Sequence, residues 1–118
     1  MTNGLVGNLQ VIWVNKYQNK EIMTRTEILL TTLMEECAET AQRASKAIRF
    51  TLDEVQPVQD MNNAQRIVYE FNDIVAVMEI LQEDGVIEKV IDRESIEKKK
   101  AKIAKYLDYS AKMGTLND

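Results

Sequence analysis

Two acidic clusters set in apolar surroundings carry the chemistry of this 118-residue chain: Glu35-Glu36-Cys37-Ala38-Glu39 and Glu70-Phe71-Asn72-Asp73. On an α-helix, residues i and i+3 are neighbours on one face. Glu36 therefore pairs with Glu39, and Glu70 with Asp73. Two such helices packed together would gather four carboxylates at one place. Their mutual repulsion makes that arrangement costly unless a cation lies between them. Carboxylates without histidine or thiolate are hard oxygen ligands, which suit Mg²⁺ or Mn²⁺.

Helices must position these groups, and the chain is rich in helical patterning. Leu5, Leu9, Ile12, Trp13 and Tyr17 predict a first amphipathic helix over about 5–19. Leu30, Met34, Cys37, Ala41, Ala44 and Ile48 alternate spacings of four and three, the seam expected of a long helix over about 25–50. Thr24 or Thr26 caps its start, with Glu27 completing a capping box from Thr24. A connection containing the only proline, Pro57, spans Thr51 to Asn62. Asn62 or Asn63 then caps a third helix with a seam of Ile67, Phe71, Ile74, Met78 and Leu81, ended by Asp84-Gly85. Ile96, Ile103 and Leu107 mark a fourth over about 93–112. The expectation is a single all-α domain covering 1–118, a four-helix bundle.

Composition narrows the class of function. A content of 45% hydrophobic and 29% charged residues is that of a soluble globular domain. No apolar run reaches the roughly 20 residues of a membrane span, and Met1 to Gln10 lack the order of a signal peptide. A cytoplasmic protein with no membrane partner is expected. The net charge of -4 argues against general nucleic-acid binding. Cys37, the one cysteine, has no disulfide partner within the chain and is read as a buried structural thiol. A ferritin-like di-iron site is excluded, because it uses Glu-x-x-His motifs and the chain contains no histidine.

Glu35-Glu36-x-x-Glu39 followed by Glu70-x-x-Asp73 resembles the EExxE…ExxD signature of the MazG-like all-α nucleoside triphosphate pyrophosphohydrolases. The similarity continues through Thr40 to Phe50 and through Asn72 to Val77, and covers about residues 25 to 85. One departure is the stretch of 30 residues between Glu39 and Glu70, longer than is usual there, which leaves substrate identity open. The resemblance implies hydrolysis of NTP or dNTP to the monophosphate and pyrophosphate, in nucleotide pool control or house-cleaning. It implies that Glu36, Glu39, Glu70 and Asp73 hold Mg²⁺ on the triphosphate and that Glu35 orients or deprotonates the attacking water. It also implies a homodimer or a dimer of dimers, formed through the long helices.

Such a reaction needs further groups. Mg²⁺ offsets phosphate charge only in part, so basic side chains are expected near the phosphates. Lys46 and Arg49 lie two and three turns beyond Glu39, and Lys102 and Lys105 lie on the basic fourth helix, whose charges otherwise form a solvated face. Trp13 resembles the N-terminal aromatic that some family members set against the base, or it is a packing residue. Asn72 offers a hydrogen-bonding amide to base or sugar, or equally to neighbouring side chains. The alternative to an enzyme is a non-catalytic helical interaction protein that retains the fold, against which stands the complete acidic set.

Overall fold

A computed structural model describes residues 22–117. Its regular structure is helical: α1, Arg25–Phe50; α2, Asn63–Glu83; and α3, Arg93–Met113. Among the described residues there is no strand, and the one β-like pairing is an isolated bridge between Val55 and Asn62. None of these helices is long and apolar enough to cross a membrane. The helix expected over 5–19 lies outside the described residues; of the three helices described, α1 and α2 pack together and α3 packs against neither, so the expected four-helix bundle is not seen among the described residues.

Each helix starts where its sequence supplies a cap for the free N–H groups of the first turn. Thr24 Oγ1 accepts from the Glu27 N–H at 3.1 Å while the Thr24 N–H donates to Glu27 Oε1 at 2.8 Å. Asn62 and Gln65 form the same reciprocal box before α2, at 2.8 and 2.9 Å. Asp92 accepts from the Glu94 and Ser95 N–H groups before α3. Gly114, at φ +75°, supplies the left-handed residue that ends α3.

The connection between α1 and α2 is fastened to the first turn of α2. Asn63 is fully buried, and its Nδ2 donates to the Thr51 carbonyl at 2.8 Å and to Glu54 Oε1 at 2.9 Å. The Asn63 and Ala64 N–H groups donate to the carbonyls of Glu54 and Leu52. These four bonds hold the loop against the end of the hairpin.

At the opposite end, Arg25 Nε lies 2.6 Å from Asp84 Oδ2, tying the start of α1 to the end of α2. The two helices are thus antiparallel neighbours, and they form the one packed helix pair among the described elements. Their shared face differs from the expected seam. Leu29, Leu33, Glu36, Thr40, Arg43 and Ala47 of α1 are half-buried, whereas Leu30, Met34, Cys37, Ala41, Ala44 and Ile48 are all exposed. Leu30 retains 43% of its accessible surface, Met34 71% and Ile48 86%. Two adjacent apolar rows run along this helix, and only one can face α2 in a hairpin. Cys37, on the outer row, is exposed and not a buried thiol. On α2 the expected seam holds at Ile67, Ile74, Met78 and Leu81, but Phe71 points outward.

The link between loop and hairpin gives a stability test. Replacing Asn63 by alanine deletes two hydrogen bonds, one of them to the Glu54 carboxylate, worth about 0.5–1.5 kcal/mol for the neutral bond and about 1.5–3 kcal/mol for the charged one. Asn63→Ala is therefore expected to destabilise the protein by about 2–4 kcal/mol in urea unfolding. An unchanged midpoint would mean that this amide does not hold the loop.

Candidate metal centre

The register of the hairpin fixes which acids meet. Asp73 lies eleven residues before Asp84, as Glu36 lies eleven after Arg25, and Glu70 and Glu39 stand three residues further in each direction. Eleven residues make three turns of helix almost without remainder. The Arg25–Asp84 pair thus repeats, three turns along, as Glu36 facing Asp73 and Glu39 facing Glu70.

One carboxylate oxygen from each of Glu36, Glu70 and Asp73 lies within 4.8 Å of the other two. All three residues are half-buried in the face where α1 meets α2. Glu36 Oε2 and Glu70 Oε2 are buried with no hydrogen-bond partner. Burial is the chief cause that raises the Glu36 carboxyl above its ordinary value, and the charges of Glu39 and Asp73 add to it. Glu70 is raised in the same way, by burial first and then by Glu39. The nearness of Asp73 to Glu36, and of Glu39 to Glu70, favours a proton shared within each pair. Without that proton each pair confronts like charge with like charge, and a cation is the other species able to relieve it.

The donor set fits a hard divalent cation. It is oxygen only, it is preassembled by two rigid helices, and its buried oxygens lack protein donors. Oxygens sharing one octahedral Mg²⁺ stand about 2.9 Å apart when cis and about 4.2 Å when trans, so the three side chains would draw inward on binding one ion. Glu39, the fourth ligand expected, is exposed and its carboxylate is not one of the three that converge, though its charge bears on Glu70. Glu35 is exposed, and what it contributes to the cluster is its charge on Glu36.

The remaining candidates are placed less directly. Lys46 is half-buried, with its Nζ 5.9 Å from the Phe50 ring centroid, and the exposed Arg49 guanidinium lies 4.9 Å from the same ring. Asn72 is exposed and its Nδ2 donates to the Val68 carbonyl at 2.8 Å, so that half of the amide is engaged by its own helix. Lys102 and Lys105 sit on α3, which packs against neither α1 nor α2. Trp13 lies outside the described residues.

The sequence reading passed over Arg43. This residue lies one turn beyond Glu39 on the buried face of α1, and its Nε and one Nη are buried without an acceptor. Among the described residues its one side-chain hydrogen bond is a long one, 3.5 Å, from the other Nη to Gln42 Oε1. The signal was available as the spacing of seven from Glu36 and four from Glu39. It was obscured because the seam had been assigned one position away.

The raised carboxyls give a pH dependence. A group whose pKa is higher in the folded than in the unfolded state stabilises the fold fully below the unfolded value, and loses that contribution as pH rises through the folded value. From 4.5 upward, Glu36 and Glu70 should therefore make the metal-free protein less stable as pH rises. Asp92, lowered by its hydrogen bonds with Ser95, and Glu27, lowered by its bonds with Thr24, act oppositely and lose their contributions at more acidic pH. Unfolding of chelator-treated protein between pH 4.5 and about 7 should show a shallower decline for Glu36→Gln than for wild type. Parallel curves would show that Glu36 carries no raised carboxyl.

Comparison with protein-family models, with curated proteins and with solved structures yields no match to this chain, so what the centre can do follows from its own residues and geometry.

Proposed function

We propose that the protein is a Mg²⁺-dependent nucleoside triphosphate pyrophosphohydrolase, cleaving NTP or dNTP between the α- and β-phosphates, as the resemblance of its acidic motifs to the MazG-like enzymes implies. The observation that carries this proposal is the convergence of Glu36, Glu70 and Asp73 oxygens within 4.8 Å at the seam of two helices. Glu39, beside Glu70, completes the set of four. Mn²⁺ suits the same donors.

Glu36, Glu39, Glu70 and Asp73 would hold the metal. Bound there, Mg²⁺ supplies charge neutralisation of the polyphosphate and acidification of water. Glu35, outside the crowded seam and adjoining Glu36, is free to orient the attacking water and accept its proton. Arg43 stands about 6 Å beyond Glu39 along the helix axis and Lys46 about 10 Å, so α1 presents cations next to the acids. The buried donors of Arg43 have no acceptor among the described residues, and a phosphate oxygen is the acceptor a guanidinium binds best. Asn72 retains its amide oxygen for base or sugar, and Trp13 remains a candidate wall for the base.

An uncovered apolar face on α1 supports the second part of the proposal, a homodimer or dimer of dimers built on the long helices. That same exposed surface would also serve a non-catalytic interaction protein. Turnover separates the two.

Incubation with a panel of NTPs and dNTPs should give monophosphate and pyrophosphate in one step, with activity lost in EDTA and restored by Mg²⁺ or Mn²⁺. Sequential release of diphosphate and inorganic phosphate would contradict the proposed cleavage. Glu36→Gln and Asp73→Asn should each lower turnover by about 100-fold or more with the helical circular dichroism retained. At a Mg²⁺ concentration one hundred times its Kd, wild type should gain about 2.7 kcal/mol of stability, and the two variants much less. Full activity in metal-free protein would overturn the proposal.

A further inference from the structure

The seam that gathers the acids carries the opposite charge one turn further on. Arg43 lies eighteen residues after Arg25, and Arg66 eighteen before Asp84. Eighteen residues make about five turns of helix, so the register that sets Glu39 opposite Glu70 also sets Arg43 opposite Arg66. Both arginines are half-buried. The ion pairs among the described residues are Arg25–Asp84 and three within α3. Neither arginine is therefore paired there with an acid, although Glu39 and Glu70 each stand one turn away.

Helix direction separates the two guanidiniums. Side chains tilt toward the N-terminus of their own helix. On the antiparallel α1 and α2, that carries Arg43 toward Glu39 and Glu36, and Arg66 away from the acids toward the connection. Arg66 Nη1 accordingly donates to Gln56 Oε1 at 3.0 Å. Arg43 keeps its Nε and one Nη buried without an acceptor among the described residues. Acids, Arg43 and Arg66 thus follow one another along the seam. The sequence outside the described residues adds two acids, Glu21 and Asp118, so the chain has little else with which to neutralise this pair. A cation at the acids and an anion at the arginines is the charge pattern of a metal-bound polyphosphate.

We propose that Arg43 and Arg66 receive the phosphates that lie beyond the metal, and so make this centre select a triphosphate over a diphosphate. The metal engages the phosphates nearest the acids, and chains of either length supply those. The longer chain also reaches the arginines, whose planar forks bind phosphate oxygens in pairs. A diphosphate leaves the buried donors of Arg43 without an acceptor. A site built to hydrogen-bond a group rejects strongly the analogue that lacks it, because its own buried polar atoms are then unmet. The identity of the ligand as a substrate rests on the proposed hydrolase activity, but the charge pattern does not.

Inorganic tripolyphosphate and pyrophosphate, which carry no base or sugar, are the probes. Each is titrated calorimetrically into the full-length protein at one fixed Mg²⁺ concentration. Wild type is expected to bind tripolyphosphate about tenfold or more tightly than pyrophosphate. Arg43→Gln and Arg66→Gln should each lower the affinity for tripolyphosphate about tenfold or more while changing that for pyrophosphate far less. Mn²⁺ binding in the absence of phosphate should be no weaker in either variant, since the acids are untouched. Equal losses for both probes, no loss, or no preference in the wild type would overturn the proposal. Where circular dichroism shows that Arg43→Gln has not folded, Arg43→Lys keeps the charge, loses the planar fork and is held to the same outcomes. Binding is read without turnover. An arginine-dependent preference for tripolyphosphate in a protein that cleaves no nucleotide would leave this site standing and remove the hydrolase reading. Cleavage of diphosphates as fast as triphosphates would do the reverse.

Discussion

Like-charge repulsion at the seam of the α1–α2 hairpin is the constraint around which the rest of the described structure is arranged. Helix pairs ordinarily meet through apolar side chains, and this pair does so at Leu29, Leu33, Val77 and Leu81. One turn further along the same face, Glu36, Asp73 and Glu70 occupy positions where leucine would stabilise the fold. Desolvated carboxylates with unpartnered oxygens lower the stability of the metal-free hairpin. The hairpin must therefore be held by features outside the acidic stretch.

Those features lie at its two ends. The Arg25–Asp84 ion pair closes one end, and the loop bonded to Asn63 closes the other. An exposed ion pair contributes little energy, at most about 1 kcal/mol, but this one sits three turns from the acids and specifies their register. A shift of one residue in that register would rotate Asp73 away from Glu36. The capping boxes at Thr24 and Asn62 act in the same sense, because each fixes the residue at which a helix begins.

Much of this was legible in the sequence. The Thr24–Glu27 box, the helix spans near 25–50 and 93–112, and the pairing of Glu36 with Glu39 and Glu70 with Asp73 follow from spacing alone. The orientation of α1 did not. Rows 29-33-36-40 and 30-34-37-41 are both apolar enough to serve as a seam, and periodicity cannot rank two adjacent rows on one helix. Arg43 was overlooked and Cys37 was buried for the same reason. The position of α3 was equally beyond reach, since an amphipathic stripe states that a helix has a partner without stating which surface, or whose, it meets.

That last point bears on how complete the described fold is. Val77 and Leu81 are the buried hydrophobic residues among those described, and a two-helix hairpin with so small a dry interior has little to set against its conformational entropy. The large apolar side chains that would enlarge the core are present, but on the outer face of α1, at Val68 and Phe71 of α2, and along α3. Their burial requires surface beyond the one α1 and α2 share. The acids restrict what kind of surface that can be. A hairpin with a net charge of -7 repels a copy of itself laid acid to acid, so any surface that covers its apolar face must keep the acidic clusters apart or place positive charge between them.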